Sequence, residues 1–281
     1  MTAPLGTLHL VGTPIGNLED ITLRAVRILR EVDLIAAEDT RVTRTLLRHY
    51  QIRIPVLSYH AHSGPERLAE LLALLRSGKR VALVSDAGMP GISDPGARLV
   101  KACAEAGVPV VVVPGPTALS AALALSGLAA PRFLFLGFLP SRPAARREAL
   151  RRVAGQPEPI VCFEAPHRLR ESLADMRALL GDREAACGRE LTKRFEETVR
   201  GRVSDLIARF SEHEPRGEIT LVLAGPPAAQ ADLAEAEQEV RELIRAGLSP
   251  SRAAAHVARK RNLPRGPLYR AAVAQEPDRA E

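Results

Sequence analysis

Cysteine is scarce in this chain of 281 residues, with three in all, Cys103, Cys162 and Cys187. They stand far apart in apolar contexts, which excludes a disulfide framework and a cysteine metal cluster and suits a reducing cytosol. Lysine is rarer still for its class: Lys79, Lys101, Lys193 and Lys260 stand against 35 arginines. A lysine can lose its proton when buried and an arginine effectively cannot, so each retained lysine carries interest. Long apolar runs are missing too. Val108–Pro131 is uncharged over a membrane-spanning length, but Pro109, Pro114, Gly115, Pro116 and Gly127 cut it into strand, turn and helix. Met1–Leu10 lacks both the basic and the apolar region of a signal peptide. These absences predict a soluble, cytoplasmic protein without a membrane partner.

What is present suffices for a large core. With 46% hydrophobic residues the chain is not expected to be disordered, and its length suits two domains or one with an appendage. The organising stretch is Arg80–Gly96, RVALVSDAGMPGISDPG. Val81, Ala82, Leu83 and Val84 read as a buried strand of a parallel sheet. The loop after it is rich in glycine and proline, and it carries Asp86 just past the strand end, where open α/β sheets bind ligands. Asp94-Pro95 reads as the N-cap and first position of the next helix.

Strand and helix signals alternate along the rest. Strands are expected at Thr7–Val11, Leu34–Ala37, Ile54–Tyr59 and Val110–Val113. Helices carry Ala25, Ile28, Leu29 and Val32, and then Leu68, Leu71, Leu72 and Leu75, the second opened by a capping box at Ser63-Gly-Pro-Glu66. Residues 1–114 form a first α/β domain on this reading. A second, 115–225, follows the Pro114-Gly-Pro-Thr117-Ala118 hinge, with strands near Phe133–Leu136, Ile160–Glu164, Ala185–Arg189 and Ile219–Leu223. Helices near Arg142–Val153, Pro166–Leu180 and Ser204–His213 lie between them. Beyond Gly225-Pro-Pro, 226–281 reads as a helical module with helices at Ala231–Ile244 and Pro250–Arg261.

The formal net charge is +6, and Arg241–Arg270 alone carries +7. That concentration points to a polyanion contact, with Arg252, Arg259, Lys260 and Arg261 as candidate ligands of phosphate. Arg146 and Arg147 belong to a second arginine-rich helix, Arg142–Arg152, that offers a phosphate-tracking face. Gly12-Thr-Pro-Ile-Gly16 matches neither the dinucleotide fingerprint nor a P-loop, and by spacing alone it is a tight turn. His60 and His62 lack further ligands at matching distance, so no metal site is expected. In Gly188-Arg-Glu190-Leu-Thr-Lys193-Arg-Phe-Glu196-Glu197, Lys193 stands out against an otherwise ordinary charged loop.

Several of these stretches together resemble one family. Val11-Gly-Thr-Pro-Ile-Gly-Asn-Leu-Glu-Asp-Ile-Thr22, Ala37-Glu-Asp-Thr-Arg41, Ser85–Gly96, Phe163-Glu-Ala-Pro-His-Arg-Leu169 and Arg189-Glu-Leu-Thr-Lys193 are similar to motifs of the ribosomal RNA small subunit methyltransferase I family. The resemblance runs from about Leu8 to Gly225. It implies the tetrapyrrole methylase fold: two α/β domains with S-adenosylmethionine in the cleft between them, a helical C-terminal extension, and a homodimer. It also implies methylation of a cytidine ribose 2′-oxygen in the decoding region of 16S rRNA, without a metal. By similarity, Pro14, Asp86, Gly88, Met89, Gly91, Ile92, Thr117 and Ala118 contact the methyl donor. A base near the 2′-oxygen is expected: Lys193 in its neutral form, with Glu190 as orienter or alternative and Asp39 as a third choice. Two other readings remain open. A methylase of a small tetrapyrrole precursor leaves the basic tail unexplained, and a nucleic-acid-binding regulator built on a C-terminal helix-turn-helix leaves the α/β core without a task.

Overall fold

In the computed structural model the described residues are 4–273 apart from 93, 95, 129, 213–214 and 227–229. Val81–Val84 forms β4, with all four residues buried, as an uninterrupted apolar run at the middle of a sheet requires. Around it stand β1 (Leu8–Val11), β2 (Leu34–Ala37), β3 (Val56–Ser58) and β5 (Val110–Val113), in the order β3-β2-β4-β1-β5. All four pairings are parallel.

Helices cover both faces, because alternate strand residues point oppositely. On one face Val11, Ile35, Ala37, Ala82 and Val84 pack with α1 (Leu23–Glu31) and α2 (Thr40–His49). On the other, Leu8, Ala36, Val81 and Leu83 pack with α3 (Pro65–Arg76) and α4 (Ala97–Glu105). Local chemistry sets the helix starts. The Thr22 hydroxyl accepts from Ala25 N at 3.0 Å to open α1, and Asp39 accepts from Arg41 N at 2.7 Å to open α2.

Two expected caps are corrected. Gly64 caps α3, without a side-chain hydrogen bond, because the Ser63 hydroxyl instead accepts from His60 N at 2.9 Å. Gly96, not Asp94, precedes α4, at φ 147°; Pro95 lies outside the described residues.

The next elements are α5 (Ala118–Ser126), β6 (Leu134–Phe138), α6 (Pro143–Val153), β7 (Ile160–Glu164), α7 (Leu169–Leu180), β8 (Glu184–Arg189), β9 (Glu197–Arg202), α8 (Val203–Glu212) and β10 (Ile219–Leu223). Their sheet runs β6-β7-β10-β8-β9. Three helices close the described chain, α9 (Gln230–Arg245), α10 (Pro250–Arg261) and α11 (Arg265–Val273), around a small-residue core of Ala236, Val240, Ala253, Ala254, Val257 and Leu268. The α10 C-cap Asn262 donates to Gly155 O at the end of α6. Residues 274–281 of the expected third module, and Pro227 of its leading break, lie outside the described residues.

By compactness the chain divides into two units. One is 1–127 with 187–198 and 217–220; the other is 128–186 with 199–216 and 221–281. The Glu190–Lys193 segment thus belongs to the same unit as the first sheet. Among the described residues no helix is long and apolar enough to cross a membrane, and no histidine, cysteine and carboxylate cluster has metal-binding geometry.

Candidate active site

The loops after β1 and β4 emerge side by side at the carboxyl edge of the first sheet. Thr13 and Gly88 join them by paired backbone hydrogen bonds, Thr13 N to Gly88 O at 2.9 Å and Gly88 N to Thr13 O at 3.1 Å. The Thr13 hydroxyl adds a bond to Ser85 O at 3.2 Å. The glycines here are steric requirements. A Cβ on Gly12 would meet Gly115 Cα and Met89 Sδ, each at 2.7 Å. Gly88 and Gly91 hold φ of 80° and 88°, the left-handed region where other residues are strained.

These loops wall a cavity of about 340 Å³, within the range of small-molecule sites. Thr13, Pro14, Ser85 and Asp86 line it on the strand side, Val42 and Leu46 of α2 on another, and Lys193 with Glu218 on a third. Of the residues assigned to the donor, Pro14 and Asp86 line the cavity directly. Gly88 and Met89 brace its floor through Thr13 and Gly12, Gly91 faces open space, and Ile92 is exposed. Thr117 caps α5, its hydroxyl accepting from Ser120 N at 3.2 Å, and Ala118 starts that helix; neither lines the cavity.

Lys193 reaches the cavity on a strained backbone. Glu190 and Thr192 both hold positive φ, 50° and 66°, and for a β-branched threonine that is a genuine outlier. Such strain persists where surrounding bonds over-determine it. Here Asn17 N donates to the Thr192 hydroxyl at 3.0 Å, and Thr192 N donates to Glu196 Oε2 at 2.7 Å. A side chain on Gly16 would collide with the Lys193 stem, and one on Gly217 with Glu190. Lys193 Nζ then donates to Glu190 Oε1 at 2.9 Å and lies 3.3 Å from Glu218 Oε2.

The protonation of this trio corrects the expectation of a neutral lysine. Burial pushes the Lys193 ammonium down, but the hydrogen bond to Glu190 and the charge of Glu218 outweigh it, leaving the pKa raised. Burial likewise lifts Glu190, and its bonds to Lys193 and to Glu218 N bring it below its ordinary value. Lys193 is therefore a held cation and Glu190 its fixed counter-ion. Asp39, gripped by the Arg41 side chain at 2.6 Å, is pulled to about 2, which makes it a poor base near neutral pH. Glu218 was not singled out from the sequence; it stands 28 residues from Glu190 and meets it only because Glu190 N donates to Glu218 O at 2.9 Å.

A second cluster is acidic. Asp86 Oδ1 accepts from Asp39 N at 2.9 Å, and Glu38 and Asp94 stand close enough to feel its charge. Burial, then the Asp86 carboxylate, raises Glu38. Burial, then Glu38, pushes Asp94 up to about 6, against a hydrogen bond with Ser85. A carboxyl raised from an unfolded value near 4 binds more protons folded than unfolded, so its effect on stability is adverse as pH rises from about 4 through 6. Asp94→Asn will therefore raise the melting temperature above pH 7, and the gain will vanish below about pH 4. Melts across that range check it, and an equal gain at both ends would remove Asp94 as its source.

The arginines assigned to RNA separate into distinct environments. Arg146 is corrected: only 2% exposed, it turns inward to Asp175 at 2.8 Å and Glu171 at 3.3 Å. Arg147 is half exposed but also holds Asp175, at 2.7 Å. Lys260 and Arg261 pair with Glu239 of α9 at 2.6 and 2.7 Å. Arg252 and Arg259 remain exposed on α10 without an ion pair among the described residues. The Phe163–Leu169 motif is structural. Glu164, 1% exposed, accepts from Ala165 N at 2.7 Å and from the Ser172 hydroxyl, and pairs with Arg168 at 2.6 Å, which locks the turn from β7 into α7.

Comparison with known proteins gives a consistent placement. A family model described as tetrapyrrole (corrin/porphyrin) methylases matches residues 7–207. A protein of Synechocystis sp. named ribosomal RNA small subunit methyltransferase I is 48% identical over 278 residues, covering 98% of this chain and 100% of the relative. One of the same name from Thermotoga maritima is 52% identical over 221 residues, covering 79% of this chain and 99% of that one. In architecture the chain resembles the solved structure of the methyltransferase CobJ, with a TM-score of 0.61 at 18% identity over 79% of this chain and 95% of that one. By sequence and by architecture, the chain belongs to the tetrapyrrole (corrin/porphyrin) methylase family, among the relatives that carry the name ribosomal RNA small subunit methyltransferase I.

Proposed function

We propose that the protein transfers the methyl group of S-adenosylmethionine to a ribose 2′-oxygen of a cytidine in small-subunit ribosomal RNA. The observation that carries this reading is Lys193, a cation fixed on strained backbone and lining the same cavity as Asp86.

The residues present fit that donor. It is a cation at sulfur and at its amino group and carries no phosphate. Asp86 puts a carboxylate on the cavity wall, and Glu38 and Asp94, which do not line the cavity, stand close enough to feel its charge, an acidic setting that suits a cation. Pro14, which offers no N–H, suits a ligand that asks for no nest of donors.

When bound, the donor supplies an electrophilic methyl on sulfur. The protein's share is to hold the ribose hydroxyl in line with it, and such positioning contributes about 7–11 kcal/mol of the barrier. Lys193 donates a hydrogen bond to the attacking oxygen and stabilises the charge that develops there, while Glu190 keeps the ammonium aimed. The O–H bond breaks as the O–C bond forms, the S–C electron pair stays on sulfur, and Glu218, the exposed carboxylate lining the cavity, takes the proton and returns it to water. Pro14 and Asp86 hold the donor, on loops that Gly88 and Met89 brace from behind.

Incubating the protein with labelled S-adenosylmethionine and small subunits lacking the modification will yield 2′-O-methylcytidine in the digested RNA. Asp86→Ala will weaken donor binding by calorimetry. Label appearing on a tetrapyrrole precursor and not on RNA would decide for the small-molecule reading.

A further inference from the structure

A second basic surface lies on the first unit, in a stretch where acids are absent. Residues 40–65 contain Arg41, Arg44, Arg48 and Arg53 and neither aspartate nor glutamate, against a net charge of +6 for the whole chain. In the fold, three of these arginines surround one groove of about 590 Å³ between α2 and the chain leading into β3. Arg44, Arg48 and Arg53 form its rim, all exposed, and Leu47, Ile52 and Ile54 form its apolar floor. Arg27, Arg41 and Arg67 of this unit hold Glu31, Asp39 and Glu70, whereas Arg24, Arg30, Arg76, Arg80, Arg98 and Arg194 form no ion pair among the described residues and do not line this groove. The three rim arginines form no ion pair among the described residues.

The same helix serves both sites. Val42, Thr43, Thr45 and Leu46 wall the Lys193 cavity, and Arg44, Leu47 and Arg48 wall the groove. The separation is therefore the width of one helix, about 10–12 Å. Gln51, at φ 55°, turns the chain so that Arg53 comes round to face α2.

We propose that this groove receives the single-stranded RNA next to the target ribose, phosphates on the three arginines and a base or sugar on the apolar floor. The proposal rests on the RNA-methylating reading above. Guanidiniums match phosphate oxygens in pairs, and an apolar floor beside them suits an unstacked nucleotide better than a free anion. Two observations shift weight here from the C-terminal helices. Segment 226–281 as a whole carries only +1, because α9 brings acids that pair Lys260 and Arg261. In addition, the Thermotoga relative is matched over 99% of its length by 79% of this chain, so about a fifth of this chain, a share the size of 226–281, has no counterpart in a protein of the same name.

The test uses the full chain with R44Q/R48Q/R53Q. Binding of a single-stranded oligoribonucleotide will weaken at least tenfold at low salt, and its log–log salt slope will shrink by about 2, at about 0.7 for each phosphate left without its arginine. The KM for small subunits will rise at least tenfold, with kcat and donor affinity within twofold. R44K/R48K/R53K, which keeps the charge, will restore most of the binding. If the triple glutamine variant loses its circular dichroism, R53E, outside any helix, will by itself weaken binding and reduce the slope by about 0.7. An unchanged slope and KM in a folded variant overturn the groove as the RNA contact, including in favour of an acidic protein partner. A wild-type protein that methylates no RNA defeats the reading beneath it instead.

Discussion

Lys193→Ala will lower turnover on ribosomal substrate by about 10²–10³ while leaving donor affinity within twofold. Removing one preorganised donor to a developing oxyanion has an effect of that size in other enzymes. The effect is expected in turnover because Lys193 lines the cavity from a segment outside the loops assigned to the donor, although its stem packs on Gly16 of the first of them. Lys193→Arg will recover only part of the rate, since a planar guanidinium cannot place its charge where a compact ammonium does. Glu190→Gln should follow Lys193→Ala in direction but not in size, because the amide can still hold the ammonium by a hydrogen bond. Single-turnover rates with saturating donor separate the chemical step from binding. A loss of less than about threefold for Lys193→Ala would transfer the central role to Glu218.

Arg146→Ala will destabilise the protein by about 3–5 kcal/mol, the usual cost of leaving one member of a buried pair alone. Arg146 is the largest fully buried side chain, and Asp175 beside it is only 6% exposed. Burial pushes the Asp175 carboxyl up, and its bonds to Arg147 and Arg146 bring it below its ordinary value, so deleting Arg146 strands a buried charge that Arg147 alone still holds among the described residues. The double replacement R146M/D175L will recover most of the loss, because apolar side chains of similar volume need no counter-ion. Urea denaturation measures both. Were Arg146 a phosphate ligand, the alanine variant would keep its stability and lose RNA affinity with a shallower salt slope.

The strands were easiest to read where burial dictates sequence. Val81–Val84 is apolar on both faces because helices pack on each side of the sheet, and α10 begins at Pro250 behind the Ser249 hydroxyl, which accepts from Arg252 N. The helix α2 left little trace, because only Thr43, Leu46 and Leu47 of its ten residues are buried and Thr is a poor marker of a core face. β9 was missed for a similar reason: Glu197–Arg202 is an edge strand with charged residues at three of six positions. At the site, the glycine loops and Lys193 were legible because their chemistry is local. The charge state of Lys193 was not, since it depends on Glu218, which is brought in by a hydrogen bond between distant strands. Arg146 deceived because helical spacing says which residues share a face but not which face turns inward. The charge count deceived through its boundaries, having begun at Arg241, after four of the five acids of α9, and ended at Arg270, before Glu276, Asp278 and Glu281.

The assignment of 187–198 and 217–220 to the unit of the first sheet bears on how the protein is made. A nascent chain that has emerged as far as Gly127 holds all five strands of that sheet and both glycine loops, so it can fold early, as N-terminal units generally do during synthesis. It cannot yet bind Asn17 N to the Thr192 hydroxyl, a closure across 175 residues, nor seat Lys193 against Gly16. Contacts of such separation form late, because loop closure must precede them. The ribosome that makes this protein therefore releases the half with the glycine loops first, and the cavity gains its Lys193 and Glu218 lining only once Glu218 has left the exit tunnel.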